Sequence, residues 1–346
     1  MIQKRNGHMR SMVFVQPGRL EWADLPDAKL QGPLEALVRP CVMGRCDLDV
    51  AYLRGRLPLA PGEPIGHEII GEIAELGDEV LGPLRIGQRV IVPAQISCGA
   101  CTMCRRGETG RCQSVPLGAS YGMGRGGGFG GGVSEHVRVP FAAAMLIPVP
   151  EQADPLPLMG LTDMATDAYR AVGPQLASRA GASVLVMGGG ARVIGIYAAA
   201  LAVCLSAGRV VYVDADATRR EVAARYGAKV AQHIDGVDNP TFDIVVDASA
   251  DTDRLAEGIR ACGPAGYLTC VAPPAKWPEL SSRDAYYKGL TLHVGRPNCR
   301  AGHTHALEAW ASRGFRPELV GPKVLAFVDA IDAWLDPALY VAVHRH

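Results

Sequence analysis

The segment that most limits how this chain can fold runs from Ser183 to Asp214. Ser183-Val184-Leu185-Val186-Met187 is an apolar run of strand length. It leads into Gly188-Gly189-Gly190-Ala191-Arg192-Val193-Ile194-Gly195 and an apolar helical stretch from Ile196 to Ala207. A second apolar run, Val210-Val211-Tyr212-Val213, ends at Asp214, and a helical pattern returns from about Thr218 to Tyr226. Strand, glycine turn, helix, strand and acid in this order predict a parallel sheet of the dinucleotide-binding type. Phe242–Asp247 and Tyr267–Val271 read as further strands of it, and Leu158–Val172 as a helix ahead of it.

Glycines in such a turn let the backbone approach a pyrophosphate, which then rests on the amides of a helix N-terminus. Gly188, Gly190 and Gly195 are the candidates here. Their spacing is two residues longer than G-x-G-x-x-G, so a wider turn is expected. Arg192 within it either reaches a phosphate or is a solvated loop residue. Asp214 stands where a carboxylate accepts hydrogen bonds from the adenosine ribose and repels a 2′-phosphate, which leans the sequence towards NAD.

The first 150 residues have a different character. Met12–Val15 and Leu20–Trp22 flank the turn Gln16-Pro17-Gly18 as a hairpin, preceded by a disordered extension over residues 1–8. Ala36–Pro40, Ile69–Gly77 and Arg89–Val92 continue as short strands closed by glycine turns. The glycine-rich stretch Arg125–Gly132 is followed by strand-like residues and not by a helix, so it reads as a flexible connection and not as a phosphate cradle.

Within this β-rich part, Cys98, Cys101, Cys104 and Cys112 are spaced C-x2-C-x2-C-x7-C. Four thiolates so close in sequence can close a tetrahedral zinc site, with Gly99, Gly107 and Gly110 supplying tight turns. Two local disulfides or free thiols are the alternative. Upstream, Cys46-Asp47-Leu48-Asp49 is followed by a proline-marked loop and Gly66-His67-Glu68. A thiol and an imidazole beside a carboxylate suit one zinc ion that keeps an open position.

Composition bounds the rest. At 346 residues, 48% hydrophobic and 20% charged, the chain has material for two domains. Lysine plus arginine equals aspartate plus glutamate at 35 each, so no global field favours nucleic acid or an anionic membrane. The N-terminus lacks a signal-peptide core, and apolar runs are too short or interrupted to span a bilayer. A cytoplasmic protein with reduced thiols is expected, which favours metal binding over disulfides for its ten cysteines. His303 and His305 read as surface or cleft residues.

Taken together, Gly44-x-Cys46, Gly66-His67-Glu68, the four-cysteine lobe, Glu135-His136-Val137-Arg138-Val139-Pro140, the glycine turn and Asp214 resemble the zinc-dependent medium-chain alcohol dehydrogenase family over nearly the whole chain. The resemblance implies an α/β protein in which a GroES-like β-barrel catalytic domain joins a Rossmann nucleotide-binding domain with a doubly wound parallel sheet. Its divisions would be 1–164, with a zinc lobe at about 95–115, then 165–295, and a C-terminal return over 296–346. It implies two zinc ions per subunit, NAD, a small-molecule substrate and a homodimer or homotetramer. By this resemblance Cys46 and His67 hold the catalytic zinc, with Asp49 and Glu68 close behind, one carboxylate fixing the His67 ring.

For the third ligand, Leu161-Thr162-Asp163-Met164 is similar to members that use aspartate, which points to Asp163, with Asp167 and Glu68 as competitors. Where members carry serine or threonine and then histidine as a proton relay, this chain has Leu48 and Ala51. The implied activity is hydride exchange between NAD(H) and an alcohol or carbonyl compound. The alternatives are reduction of a C=N or conjugated C=C bond, or a non-catalytic nucleotide-binding homologue.

Overall fold

The computed structural model describes residues 7–124, 126 and 128–345. Residues 1–6 of the expected extension, and Arg125 and Gly127 of the glycine-rich stretch, lie outside the described residues; His8 already belongs to a strand. The strands in chain order are His8–Gln16 (β1), Arg19–Pro26 (β2), Ala36–Gly44 (β3), Glu68–Leu76 (β4), Arg89–Val92 (β5), Val137–Val139 (β6), Ile147–Pro148 (β7), Ser183–Met187 (β8), Arg209–Val213 (β9), Lys229–Ala231 (β10), Phe242–Asp247 (β11), Cys262–Cys270 (β12), Thr291–Val294 (β13), Lys323–Ala326 (β14) and Val341–His344 (β15). They divide between two compact units, one holding the chain up to Asp163 with Asn298–Ala301 and the residues from Pro322, the other Met164–Pro297 with Gly302–Gly321.

In the first unit β1 and β2 form the expected hairpin, and a mixed sheet runs β14-β15-β3-β4-β5-β7, with β6 also on β3. Alternation along β4 sends Ile69 and Ile73 into a core with Val38, Val90 and Tyr121. A second core gathers Met12, Phe14, Met43, Ile65 and Trp334. The β3–β4 pairing places Gly44 opposite Glu68. Cys46, two residues past Gly44, and His67, one before Glu68, therefore emerge at the same end of the pair. Beyond Cys46 the chain forms the helix Asp47–Leu53 where only a loop was expected. Its start was legible: Asp49 Oδ2 accepts from the Cys46 amide at 3.0 Å, a capping box with cysteine in the serine position.

At the end of the glycine-rich stretch, Gly130 and Gly132 are tied down by backbone hydrogen bonds. The Gly132 amide donates to the Gly66 carbonyl at 2.7 Å, and the Gly122 amide to that of Gly130 at 2.8 Å. Glycine serves here for close backbone approach. A Cβ on Gly122 would lie 2.3 Å from the Gly66 carbonyl oxygen, next to His67, and Gly122 itself has φ +59°.

In the second unit the sheet order is β10-β9-β8-β11-β12-β13, all parallel. Numbered from its own first strand this is 3-2-1-4-5-6, with the order reversing between β8 and β11, where such sheets receive ligands. Leu185, Val211, Phe242, Val245 and Leu268 belong to one apolar core. The helix expected over Leu158–Val172 is broken. Pro155–Leu158 and a 3-10 turn, Met159–Leu161, precede the main helix Met164–Ser178, so Asp163 stands just before that helix and not inside it. His303 is wholly buried on the helix Cys299–Ser312, which corrects the surface or cleft placement; two residues along a helix turn the side chain by about 200°, so His303 faces inward where His305 is exposed. His305 stacks on Tyr169 at 4.8 Å. Among the described residues no helix is long and apolar enough to cross a membrane.

Gly122→Ala forces both a left-handed residue and a clash with the backbone of Gly66. A loss of about 2 kcal/mol or more is expected, read as a lower urea midpoint. An unchanged midpoint would show that the loop can retreat from Gly66 at little cost.

Candidate active site

Three potential ligand atoms, from Cys46, His67 and Asp163, lie within 4.8 Å of one another. Each is delivered by a different device: the end of β3, the residue before β4, and the break ahead of the helix Met164–Ser178. Asp163 Oδ2 stands 3.4 Å from Cys46 Sγ and 3.5 Å from His67 Nε2. All three residues are buried. Asp49 Oδ1 is 3.8 Å from His67 Nδ1, an ion-pair separation and too long for a hydrogen bond. Glu68 turns away to accept from the Tyr340 hydroxyl at 3.0 Å, beneath Gly44. Of the competitors for the third position, Asp167 is held by Arg170 at 2.5 Å.

The electrostatics of this cluster call for a cation. Burial and then the neighbouring Asp163, Glu68, Asp47 and Asp49 push the Cys46 thiol well up. Burial, followed by Asp163, raises Glu68 to about 8. Burial draws His67 down, but Asp49 and Asp163 overcome it and hold the imidazole at about 9. Asp163 sits at about 2, because His67, Cys299 and Cys46 outweigh its burial. Left alone, the cluster favours a neutral Cys46 thiol and a protonated His67. A zinc ion at the same point takes the place of those protons. The donor set of one thiolate, one imidazole and one carboxylate suits zinc with a position left open. Among the described residues, no group meets hydrogen-bond geometry with either ring nitrogen of the fully buried His67, which agrees with a ligand role.

The second cluster is closed. The Sγ atoms of Cys98, Cys101, Cys104 and Cys112 lie within 4.8 Å of one another, and all ten cysteines are free thiols. Amides point at the sulfurs. Cys101 Sγ accepts from the Gln113 amide at 3.4 Å and the Cys104 amide at 3.5 Å, which lowers its thiol to about 6. Cys98 Sγ accepts from the Ser114 hydroxyl at 3.2 Å and the Cys101 amide at 3.3 Å. Such donors stabilise thiolates, the form that binds metal. The two clusters thus provide two zinc sites, one open and one closed.

In the second unit, the glycine turn follows β8 and opens the helix Arg192–Cys204. Gly190 and Ala191 donate to the carbonyls of Ser249 and Ala248 at 2.8 and 3.0 Å, which draws the loop after β11 against the turn. A Cβ on Gly190 would sit 2.6 Å from Ala250 Cβ. Gly195, inside the helix, packs its bare face towards Ala248 of that loop. Arg192 is the first helical residue and is buried, unlike a solvated loop arginine. Gly188 lies beside the Asp214 carboxylate, so the turn and the acid meet.

That carboxylate is fully engaged. Oδ1 accepts from the Asp216 amide at 2.9 Å and Arg219 Nη2 at 2.7 Å, Oδ2 from the Tyr212 hydroxyl and Arg219 Nε, both at 2.8 Å. Arg219, Tyr212, Tyr340 and Cys299 were not singled out in the sequence. Only Arg219, five residues after the acid on the next helix, had a positional signal; the others depend on tertiary packing.

A zinc-holding β domain joined to a 3-2-1-4-5-6 sheet defines a class that comparison narrows. Residues 32–151 match the model of the alcohol dehydrogenase GroES-like domain. An alcohol dehydrogenase of Cupriavidus necator is 32% identical over 284 residues, covering 76% of each chain. The glutathione-independent formaldehyde dehydrogenase of Pseudomonas aeruginosa is also 32% identical, over 64% of this chain; the aligned part spans only 58% of that protein's length. Among solved structures, alcohol dehydrogenase TADH from Thermus sp. ATN1 superposes with a TM-score of 0.85 at 26% identity, covering 98% of this chain and 100% of that one. The chain belongs to the zinc-type medium-chain alcohol dehydrogenase family.

Cys101→Ser removes one thiolate from the closed cluster. Zinc content should fall from two ions per chain to one, and the melting temperature by roughly 5 °C, equivalent to a loss of a kcal/mol or two. A variant that keeps two ions and its melting temperature would exclude a structural metal there.

Proposed function

We propose that this protein is an NAD(P)-dependent zinc oxidoreductase that interconverts an alcohol and a carbonyl compound. The carrying observation is the buried Cys46–His67–Asp163 cluster, whose donor set suits a zinc ion with an open coordination position. Zinc, when bound there, supplies Lewis acidity to an alcohol or carbonyl oxygen, and the nicotinamide cofactor accepts or gives hydride. The rest is the work of this chain. Cys46 and Asp163 bring two negative charges, which offset the ion's formal charge. Asp49 orients His67 electrostatically from behind, and the Tyr340 hydroxyl holds Glu68 aside. Leu48, Ala94 and Met123 pack together with Cys299, whose thiol meets Asp163, and apolar packing of this kind keeps water scarce on that side. The alcohol and formaldehyde dehydrogenases among its relatives support this substrate class. Action on a small molecule by a cytoplasmic homo-oligomer belongs to the same reading.

Cofactor choice turns on Asp214 and Arg219. A carboxylate has about four acceptor positions, and all are taken here, so a ribose hydroxyl binds Asp214 only if Arg219 yields. The pair is also close to neutral and so repels a 2′-phosphate weakly. NAD is the expected cofactor, with less discrimination against NADP than a bare acid would give. Arg219→Ala should raise the NADP-to-NAD ratio of dissociation constants by roughly fivefold, the worth of a partly exposed ion pair. Fluorescence titration with NADH and NADPH measures it; a ratio that moves towards NADP would place the acid outside the ribose site.

A second reading is favoured by Leu48 and Ala51, which cannot carry a proton. A reductase of a C=N or conjugated C=C bond has no need of a hydroxyl relay at this position. A panel of alcohols, aldehydes, ketones, iminium compounds and enals, followed by nicotinamide absorbance, separates the two. Leu48→Thr should raise alcohol oxidation near neutral pH, by up to about a hundredfold if proton transfer limits the rate. Absence of alcohol turnover in both proteins, with reduction of an enal or iminium compound, would make the second reading the correct one.

A further inference from the structure

Asp163 offers its two oxygens to different partners. Oδ2 faces Cys46 and His67, while Oδ1 receives the thiol of Cys299 at 2.9 Å. Cys299 is wholly buried, and it stands outside the set of ligand atoms that lie within 4.8 Å of one another. Its sulfur is therefore placed to hold the carboxylate and not to bind the ion. The backbone that carries this thiol is fixed from the side of the four-cysteine lobe. The Cys299 amide donates to Gln95 Oε1 at 3.1 Å, three residues ahead of Cys98. Asn298 Oδ1 accepts from the Gly110 amide at 3.0 Å and from Arg111 at 3.2 Å, and Asn298 Nδ2 donates to Glu108 Oε2 at 3.1 Å. These three lobe residues lie between Cys104 and Cys112. On the far side, Arg300 Nε donates to the Ala144 carbonyl at 2.7 Å, and Ala144 packs against Gly99 of the lobe.

We propose that Cys299 is a positioning residue whose thiol holds Asp163 to the metal through Oδ2 alone, and that Asn298 makes this hold depend on the order of the four-cysteine lobe. The proposal rests on the reading of Cys46, His67 and Asp163 as a zinc site. The chemistry is that of a hydrogen-bonded metal carboxylate. An S–H donor on one oxygen leaves the other to face the ion and prevents the group from swinging to a bidentate or outward pose. The lobe then does more than close itself around an ion. When its order is lost, Asn298 loses three partners, and the thiol they help to place no longer pins Asp163.

The test uses full-length protein loaded with zinc or cobalt(II), and follows metal per chain against a graded chelator together with the cobalt absorption spectrum. Wild type should hold two ions. Cys299→Ala should lose the ion of the Cys46 cluster at roughly 10- to 100-fold lower chelator concentration, the usual cost of removing such a partner. Its cobalt ligand-field bands should shift, while the sulfur-to-cobalt charge-transfer intensity stays unchanged. Cys299→Ser keeps a donor and should restore most of the affinity, which a packing role alone would not achieve. Asn298→Ala, which touches neither Asp163 nor a lobe cysteine, should weaken the same ion about tenfold. Wild-type affinity in Cys299→Ala, or a drop of one thiolate's worth of charge-transfer intensity, overturns the positioning role. Unchanged affinity in Asn298→Ala overturns the link to the lobe. A wild-type chain that takes up only the lobe's ion overturns the zinc reading itself, and this inference with it.

Discussion

A fully buried imidazole surrounded by a thiol and carboxylates is the constraint from which the first unit is best understood. His67, Asp49 and Glu68 are wholly buried, with Cys46, Asp47 and Asp163 nearly so. Two unit charges 4 Å apart interact by about 4 kcal/mol at the effective dielectric of a protein site, so the arrangement is strongly biased towards holding a cation. The register that sets Gly44 opposite Glu68, the capping box that turns the chain at Cys46, and the glycine contacts on Gly66 all serve to bring these groups to one point. Polar burial of this density would be costly in a merely structural domain, and it marks a place where chemistry is done.

The two metal clusters show how one element can be used in two ways. In the lobe, four soft ligands come from one short segment, and backbone amides supply the surrounding hydrogen bonds. Nothing remains for a substrate to bind. In the Cys46 cluster the ligands come from distant segments, and the supporting groups are side chains, Asp49, Tyr340 and Cys299. A site assembled from remote pieces can leave a coordination position open, because no single loop has to wrap around the ion. Its geometry then depends on every segment that contributes.

The nucleotide-type unit carries a comparable tension at Asp214. The acid at the end of β9 is the group expected to read a ribose, yet Arg219, Tyr212 and the Asp216 amide hold it. The pairing removes a bare buried charge when nothing is bound, since an unpaired carboxylate there would be expensive. It also places the Arg219 guanidinium directly against the acid.

Much of this was legible in the residues alone. Local period and glycine placement revealed the parallel sheet, because crossover units are built from contiguous sequence, and close spacing revealed the four-cysteine lobe for the same reason. Ligand chemistry pointed to Cys46 and His67, and the family resemblance added Asp163. Other features were settled only by the tertiary structure. The break at Asp163, the hydrogen bond of Gly132 to Gly66, the burial of His303, and the approach of Asn298 and Cys299 to the lobe and to Asp163 have no local signal. They join residues as much as 204 positions apart, as from Gln95 to Cys299. Sequence determines which chemistry each segment carries, through propensity and pattern over a few residues. Which of those groups meet is decided by strand register and packing, and that depends on the whole chain at once.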